Sequence, residues 1–238
     1  FMSVEFIVFF AILSFLTSLL TSIFSLGGGL IMLVALAQSF SPATLIPLHG
    51  SIQLANNFSR TLVYREFFQW KLIKNILIST MFGAVIGIYL FGTLPENLLV
   101  MVIAATILFL TWAPLDNLIL SVMKNDWFCG FISGFAGIFV GANGPLVTAY
   151  LRTKNLSPEV LVANHGAIMI FQHGIKIILF ASFFNFMILD YFIFILILAL
   201  TGYAGAILGR RLISKVPFKS FNIILKVFLT LLAFSLFF

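Results

Sequence analysis

Charge is what this sequence most lacks: only 8% of its 238 residues are Asp, Glu, Lys or Arg, against about a quarter in a soluble domain. That shortage, with a hydrophobic content of 62%, excludes a water-soluble globular fold. No polar stretch is long enough to fold a soluble domain beside the apolar ones. Cysteine is nearly absent too, so Cys129 excludes an internal disulfide and is expected to be a small buried residue. Alternation with period two is missing, which excludes a membrane barrel: the apolar runs are continuous over about 20 residues.

What is present is a polytopic membrane chain of helices. Its net charge of +6 is carried by a few loops, which points to membrane orientation and not to nucleic-acid binding. Met2 is expected to be the natural start, Phe1 being an added residue. The first apolar run has neither a basic region before it nor a small-residue cleavage site after it, so it is expected to be retained as a helix.

The chain is organised around Ser25-Leu26-Gly27-Gly28-Gly29-Leu30, which has a partner at Gly141-Ala142-Asn143-Gly144-Pro145-Leu146. Gly28 and Gly144 are 116 residues apart, and the same offset pairs Ser41-Pro42 with Ser157-Pro158 and His49-Gly50 with His165-Gly166 without a gap. At an offset of 122, Gly83-Ala84, Gly87 and Pro95 match Gly205-Ala206, Gly209 and Pro217. The chain is therefore read as a duplicated unit, 1–118 and 119–238, forming one transport domain.

Helices are predicted at Val4 to Phe24, Leu30 to Phe40, Ala43 to Tyr64, a span ending near Phe91, and Asn97 to Trp112. In the second copy they are predicted at Trp127 to Phe139, Pro145 to Leu151, Val160 to Phe180, Tyr191 to Leu208 and Phe221 to Phe238. Charge decides how the broken pairs cross. If each pair counts as one crossing, the basic link Arg65 to Lys74 and the link holding Arg210, Arg211, Lys215 and Lys219 fall on opposite faces, against the positive-inside tendency. If each broken pair enters and returns, all basic links share one face, and Glu5, Glu96 and Asp190 share the other. The predicted fold is thus all-α, with two inverted-topology repeats, each a glycine-broken helical hairpin plus three transmembrane helices. Its basic face is cytoplasmic and its N-terminus outside.

Irregular backbone at membrane depth survives only in protein or beside a cavity, so both breaks are expected near mid-membrane. The helices leaving them begin with free N–H groups and a positive dipole end, and two such ends make an anion site. The expected substrate-binding groups are therefore Gly27, Gly28, Gly29, Asn143 and Gly144. A polar stripe adds to them: His49, Gln53, Asn56, Asn57 and Arg60 share one helical face, and His165, Gln172, His173 and Lys176 repeat it, with Met169 replacing the glutamine. Arg60 and Lys176 lie ~16 Å along their helices from the paired histidines. The competing reading is structural: glycines that only let helices pack closely, amides that only bond between helices, and cations that only anchor helix ends. No His-x-x-x-His pair lies within the predicted spans, and no carboxylate lies inside one beyond Glu5 at the end of the first, so neither a metal site nor an acidic cation pathway is expected. No catalytic set for hydrolysis or phosphate transfer is present, so an enzyme is not expected.

The glycine break early in each half, the Ser-Pro that follows, and the Gly-Ala-x-x-Gly helix ending in Pro resemble the sulfite exporter family, TauE/SafE. That resemblance implies a multi-pass permease of the bacterial inner membrane for sulfite, sulfoacetate or another organosulfonate. Asn143 departs from it, standing where a further glycine is expected. The leading expectation is secondary transport of a small sulfur-containing anion by alternating access, without cofactor and with protons as the coupling ion, His173 being the coupling group. Three alternatives stay open: a permease for a different small anion, an intramembrane haem or redox subunit using His49, His165 or His173 as ligands, and a structural membrane subunit.

Overall fold

A computed structural model describes residues 2–24, 27–112, 124–141, 143–213 and 230. Among them the regular elements are all helical: α1 (Val4–Phe24), α2 (Gly28–Ala37), α3 (Pro42–Val63), α4 (Trp70–Phe91), α5 (Glu96–Trp112), α6 (Asp126–Val140), α7 (Gly144–Arg152), α8 (Pro158–Phe184) and α9 (Phe192–Leu212). The boundary expected at 118/119, the Lys215 and Lys219 positions and, Thr230 apart, the span Phe221 to Phe238 lie outside the described residues. By length and composition four segments can cross a membrane: α1, α4, α8 and Ile188–Leu212, in which a short 3-10 turn leads into α9. α3 has the same 22 residues as α4. Its buried polar stripe is what makes it less apolar.

Local chemistry explains the boundaries, including those that differ from expectation. Ser41 and Ser157 are extended residues before Pro42 and Pro158, and each proline opens a helix where its missing N–H costs nothing. Asn125 caps α6 by accepting from the N–H groups of Trp127 and Phe128. α8 extends past the expected Phe180 to Phe184, where Asn185 adopts the left-handed conformation that ends it. α9 runs beyond Leu208, so Arg210 and Arg211 belong to its last turn and not to the following link. α2 is shorter than expected, because Ser39 and Phe40 both donate to the Leu36 carbonyl and close it in a turn. The first helices of the two broken pairs are unequal: α1 is 21 residues and long enough to cross alone, whereas α6 is 15.

The copies exchange partners. α1 packs chiefly along α9, and α6 along α4, so each broken helix lies against the other copy. Glycines permit the approach at equivalent points. A Cβ on Gly83 would stand 2.0 Å from the Phe131 carbonyl oxygen, and one on Gly205 2.3 Å from that of Phe15, which is Phe131's counterpart. Gly87 meets Ile138, and Gly209 meets the corresponding Ser22. Within both pairs residue numbers rise together, so the partners run parallel. At the centre α3 crosses α8 the other way: Gly50 lies against Lys176 while Gly166 lies against Thr61 and Asn57, so these two equivalent helices are antiparallel.

The short α2 is apolar and buried, with Met32, Leu33, Val34 and Leu36 fully enclosed, as a helix too short to span must be. Charged links gather at one end of the bundle. Arg210 bonds to Glu66 and to the Val63 carbonyl, Lys154 pairs with Asp126 at 3.3 Å, and Asn164 accepts from the Gln69 N–H at 2.9 Å. The opposite end holds Glu96 beside Ser41 and Phe184, and Tyr191, next to Asp190, against Phe40.

Candidate functional site

Both glycine breaks open onto one cavity. Its lining comes from both copies: Gly27, Gly29, His49, Gln53, Asn57 and Arg60 from the first, and Gly144, His165 and His173 from the second. Thr21, Leu30, Pro145 and Met169 complete it. About 30 Å³ is open to the centre of a water molecule. That is room for about two or three waters, or for one anion of about four or five heavy atoms.

Each break is built from a backbone that a side chain would obstruct or strain. Gly27 (φ 91°) and Gly141 (φ 76°) occupy the left-handed region where glycine carries no steric penalty. α2 and α7 then begin, and their first N–H groups have no intrahelical partner. In α2 the first backbone bond is from Ile31 to the Gly27 carbonyl, which leaves the N–H groups of Gly28, Gly29 and Leu30 without an intrahelical acceptor. In α7 Pro145 has no N–H at all.

The histidines brace the breaks. His49 Nε2 donates to the Gly29 carbonyl at 2.9 Å and His165 Nε2 to the Gly144 carbonyl at 3.3 Å. Since a carbonyl only accepts, both rings carry hydrogen on Nε2, and both Nδ1 atoms are left buried and without a partner. The His49 and His173 rings meet edge to face with centroids 6.0 Å apart. Lys176 Nζ lies 3.3 Å from His173 Nδ1 and donates to the Gly141 carbonyl at 2.9 Å. A continuous polar path thus runs from one break to the other.

Arg60 is the centre of the electrostatics. It is 1% exposed, donates from Nη1 to Asn57 Oδ1 at 2.7 Å, and leaves Nε without a partner. Among the described residues no carboxylate accompanies it or Lys176. A buried cation without a counter-charge is costly, and an anion in the cavity would relieve that cost.

Five expected site residues stand outside the lining. Gly28 packs against Thr17 and Thr21, where a Cβ would be 2.2 Å from the Thr17 carbonyl oxygen. Asn56 turns to α1 and α9, donating to Ser14 Oγ at 3.2 Å and lying against Gly202. Gln172, its counterpart, donates to Thr80 Oγ1 at 3.1 Å and Ser133 Oγ at 2.8 Å. Asn143 donates to the Ser133 carbonyl at 2.7 Å and to Gln172 Oε1, and Lys176 is spent on Gly141 and His173. Thr21 is the polar lining residue missed in the sequence. The signal was there: Ser14, Thr17, Ser18, Thr21 and Ser22 form a buried stripe at helical spacing along an otherwise apolar α1. Among the described residues no cluster of His, Cys, Asp and Glu fits a metal ion.

A family model described as sulfite exporter TauE/SafE matches residues 10–236. No curated protein and no solved structure matches the chain.

Proposed function

Because the chain belongs to the sulfite exporter TauE/SafE family, a family of membrane transport proteins, we propose that it is a secondary transporter for a small sulfur-containing anion such as sulfite or a short sulfonate. The observation that carries this reading is Arg60, a buried guanidinium without a carboxylate, facing a cavity flanked by two helix starts. The cavity's size favours sulfite over sulfoacetate, which has about eight heavy atoms and would need the walls to part.

The basic end is cytoplasmic in the bacterial inner membrane, by the positive-inside tendency. The antiparallel crossing of α3 and α8 supports an inverted relation of the copies, and alternating access then follows from rocking one set of helices against the other. Protons are the coupling ion, and His173, touching both His49 and Lys176, is the group through which protonation reaches the anion. The haem alternative is disfavoured by geometry: His49 and His165 spend Nε2 on backbone carbonyls, and the space between them is far too small for a macrocycle.

Binding to the purified protein, measured against sulfite, thiosulfate, sulfoacetate, taurine, sulfate and lactate, tests the reading. Sulfite is expected to bind and lactate to fail. Equal binding of lactate, or no binding of any anion, overturns it.

A further inference from the structure

The two walls of the cavity are related by the repeat, yet they offer a ligand different chemistry. Gln53 and Met169 occupy equivalent positions. A Cβ on Gly29 would stand 3.8 Å from the Gln53 amide, and a Cβ on Gly144 3.8 Å from the Met169 sulfur, so each side chain flanks the break of its own copy. Gly29 and Pro145 are equivalent as well. Where the first copy presents a backbone N–H and an amide, the second presents a thioether and a proline with no N–H. The guanidinium of Arg60 and the Asn57 amide stand on the first copy's side. Met169 itself is buried.

We infer that Met169 is the specificity-determining residue of the site, selecting anions that have one soft or apolar pole over tetrahedral anions with oxygen on every vertex. This rests on the anion-transport reading above. Sulfite is pyramidal, with three oxygens and a lone pair on sulfur, and a methylsulfonate has three oxygens and a methyl group. Either can turn its oxygens to Arg60, Gln53 and the first break while its fourth pole contacts the polarisable thioether at no loss of hydrogen bonds. Sulfate has the same charge as sulfite but must leave an oxygen against Met169 and Pro145, neither of which carries a donor. A buried acceptor without a donor is the costly case, and sites discriminate strongly when a polar group is left unpaired.

The test is equilibrium binding of sulfite and of sulfate at about pH 8, where both are dianions, to the full chain in detergent. The parent is expected to prefer sulfite by at least about tenfold. Met169→Gln, which installs the first copy's own residue, should shrink that preference by about tenfold, chiefly by strengthening sulfate. Met169→Leu, similar in volume but without a donor, should keep the preference. The reciprocal change, Gln53→Met, should widen it, and it decides the matter if Met169→Gln does not fold. An unchanged ratio in a folded Met169→Gln protein, or an equal collapse in Met169→Leu, overturns the inference while leaving the transporter reading intact. A parent that binds neither anion overturns the transporter reading itself, and the role of Met169 with it.

Discussion

The two copies share a scaffold and divide the chemistry. At the helix contacts the correspondence is close: Gly83 and Gly205 meet the same carbonyl in opposite copies, and each His-Gly pair braces a break with its imidazole and passes the crossing helix at its glycine. At the breaks the copies part. The second is tied down by side chains, with Asn143 held by Ser133 and Gln172, and the Gly141 carbonyl held by Lys176. In the first, Gly27 stands at Asn143's position, Asn56 reaches Ser14 in place of Gln172's bonds, and Arg60 keeps Nε unused. The difference teaches that duplication preserves backbone geometry through glycine while freeing the side chains to specialise. One copy fixes a frame, and the other turns charge and donors toward the cavity.

The symmetric part breaks most drastically. Gly83→Leu and Gly205→Leu should each abolish a monodisperse peak in size exclusion, since both place a side chain inside a backbone contact and overpacking on this scale exceeds the usual ~1–3 kcal/mol. If one is tolerated, the scaffold is less symmetric than its contacts. The cations test the division of labour. Arg60→Gln should weaken anion binding by about 100-fold, the scale of a lost charged hydrogen bond, with little change in the unfolding midpoint. Lys176→Gln should do the reverse, weakening binding by less than about tenfold. It should lower the midpoint by roughly 2–8 °C, because the Gly141 carbonyl is left unpaired. Equal loss of affinity in the two variants would mean that both cations reach the ligand. The smallest effect belongs to Asn143→Gly, which makes the second break imitate the first. It removes about 1 kcal/mol of hydrogen bonding, a shift of roughly 2–4 °C, and should change affinity by less than about fivefold.

Much of this was legible in the sequence because duplication writes each feature twice. The gap-free offset located both breaks, the Ser-Pro starts and the histidines, and helical spacing found the polar stripe. Spacing stops short of deciding which neighbour on a face meets the cavity. Asn56 and Asn57 are adjacent residues, about 100° apart around the helix, and only the presence of Gly202 and Ser14 draws the first away. The role of Lys176 was hidden for another reason: its partner is a carbonyl aimed by the left-handed Gly141, and backbone direction in a break has no signature in side-chain type. Helix ends went astray where tertiary contacts outweigh local signals, as where Arg210 is drawn onto Glu66, Val63 and the Tyr64 ring.

The exchange of partners between copies bears on ancestry. Since α1 finds its main neighbour in α9 and α6 finds its own in α4, neither half of the chain holds a complete core. A polypeptide of half this length would leave bare the very surfaces that its glycines have cut to fit a neighbour. A single half with this packing would have to pair with a second copy of itself to cover those surfaces, and the one cavity would then be a property of the pair.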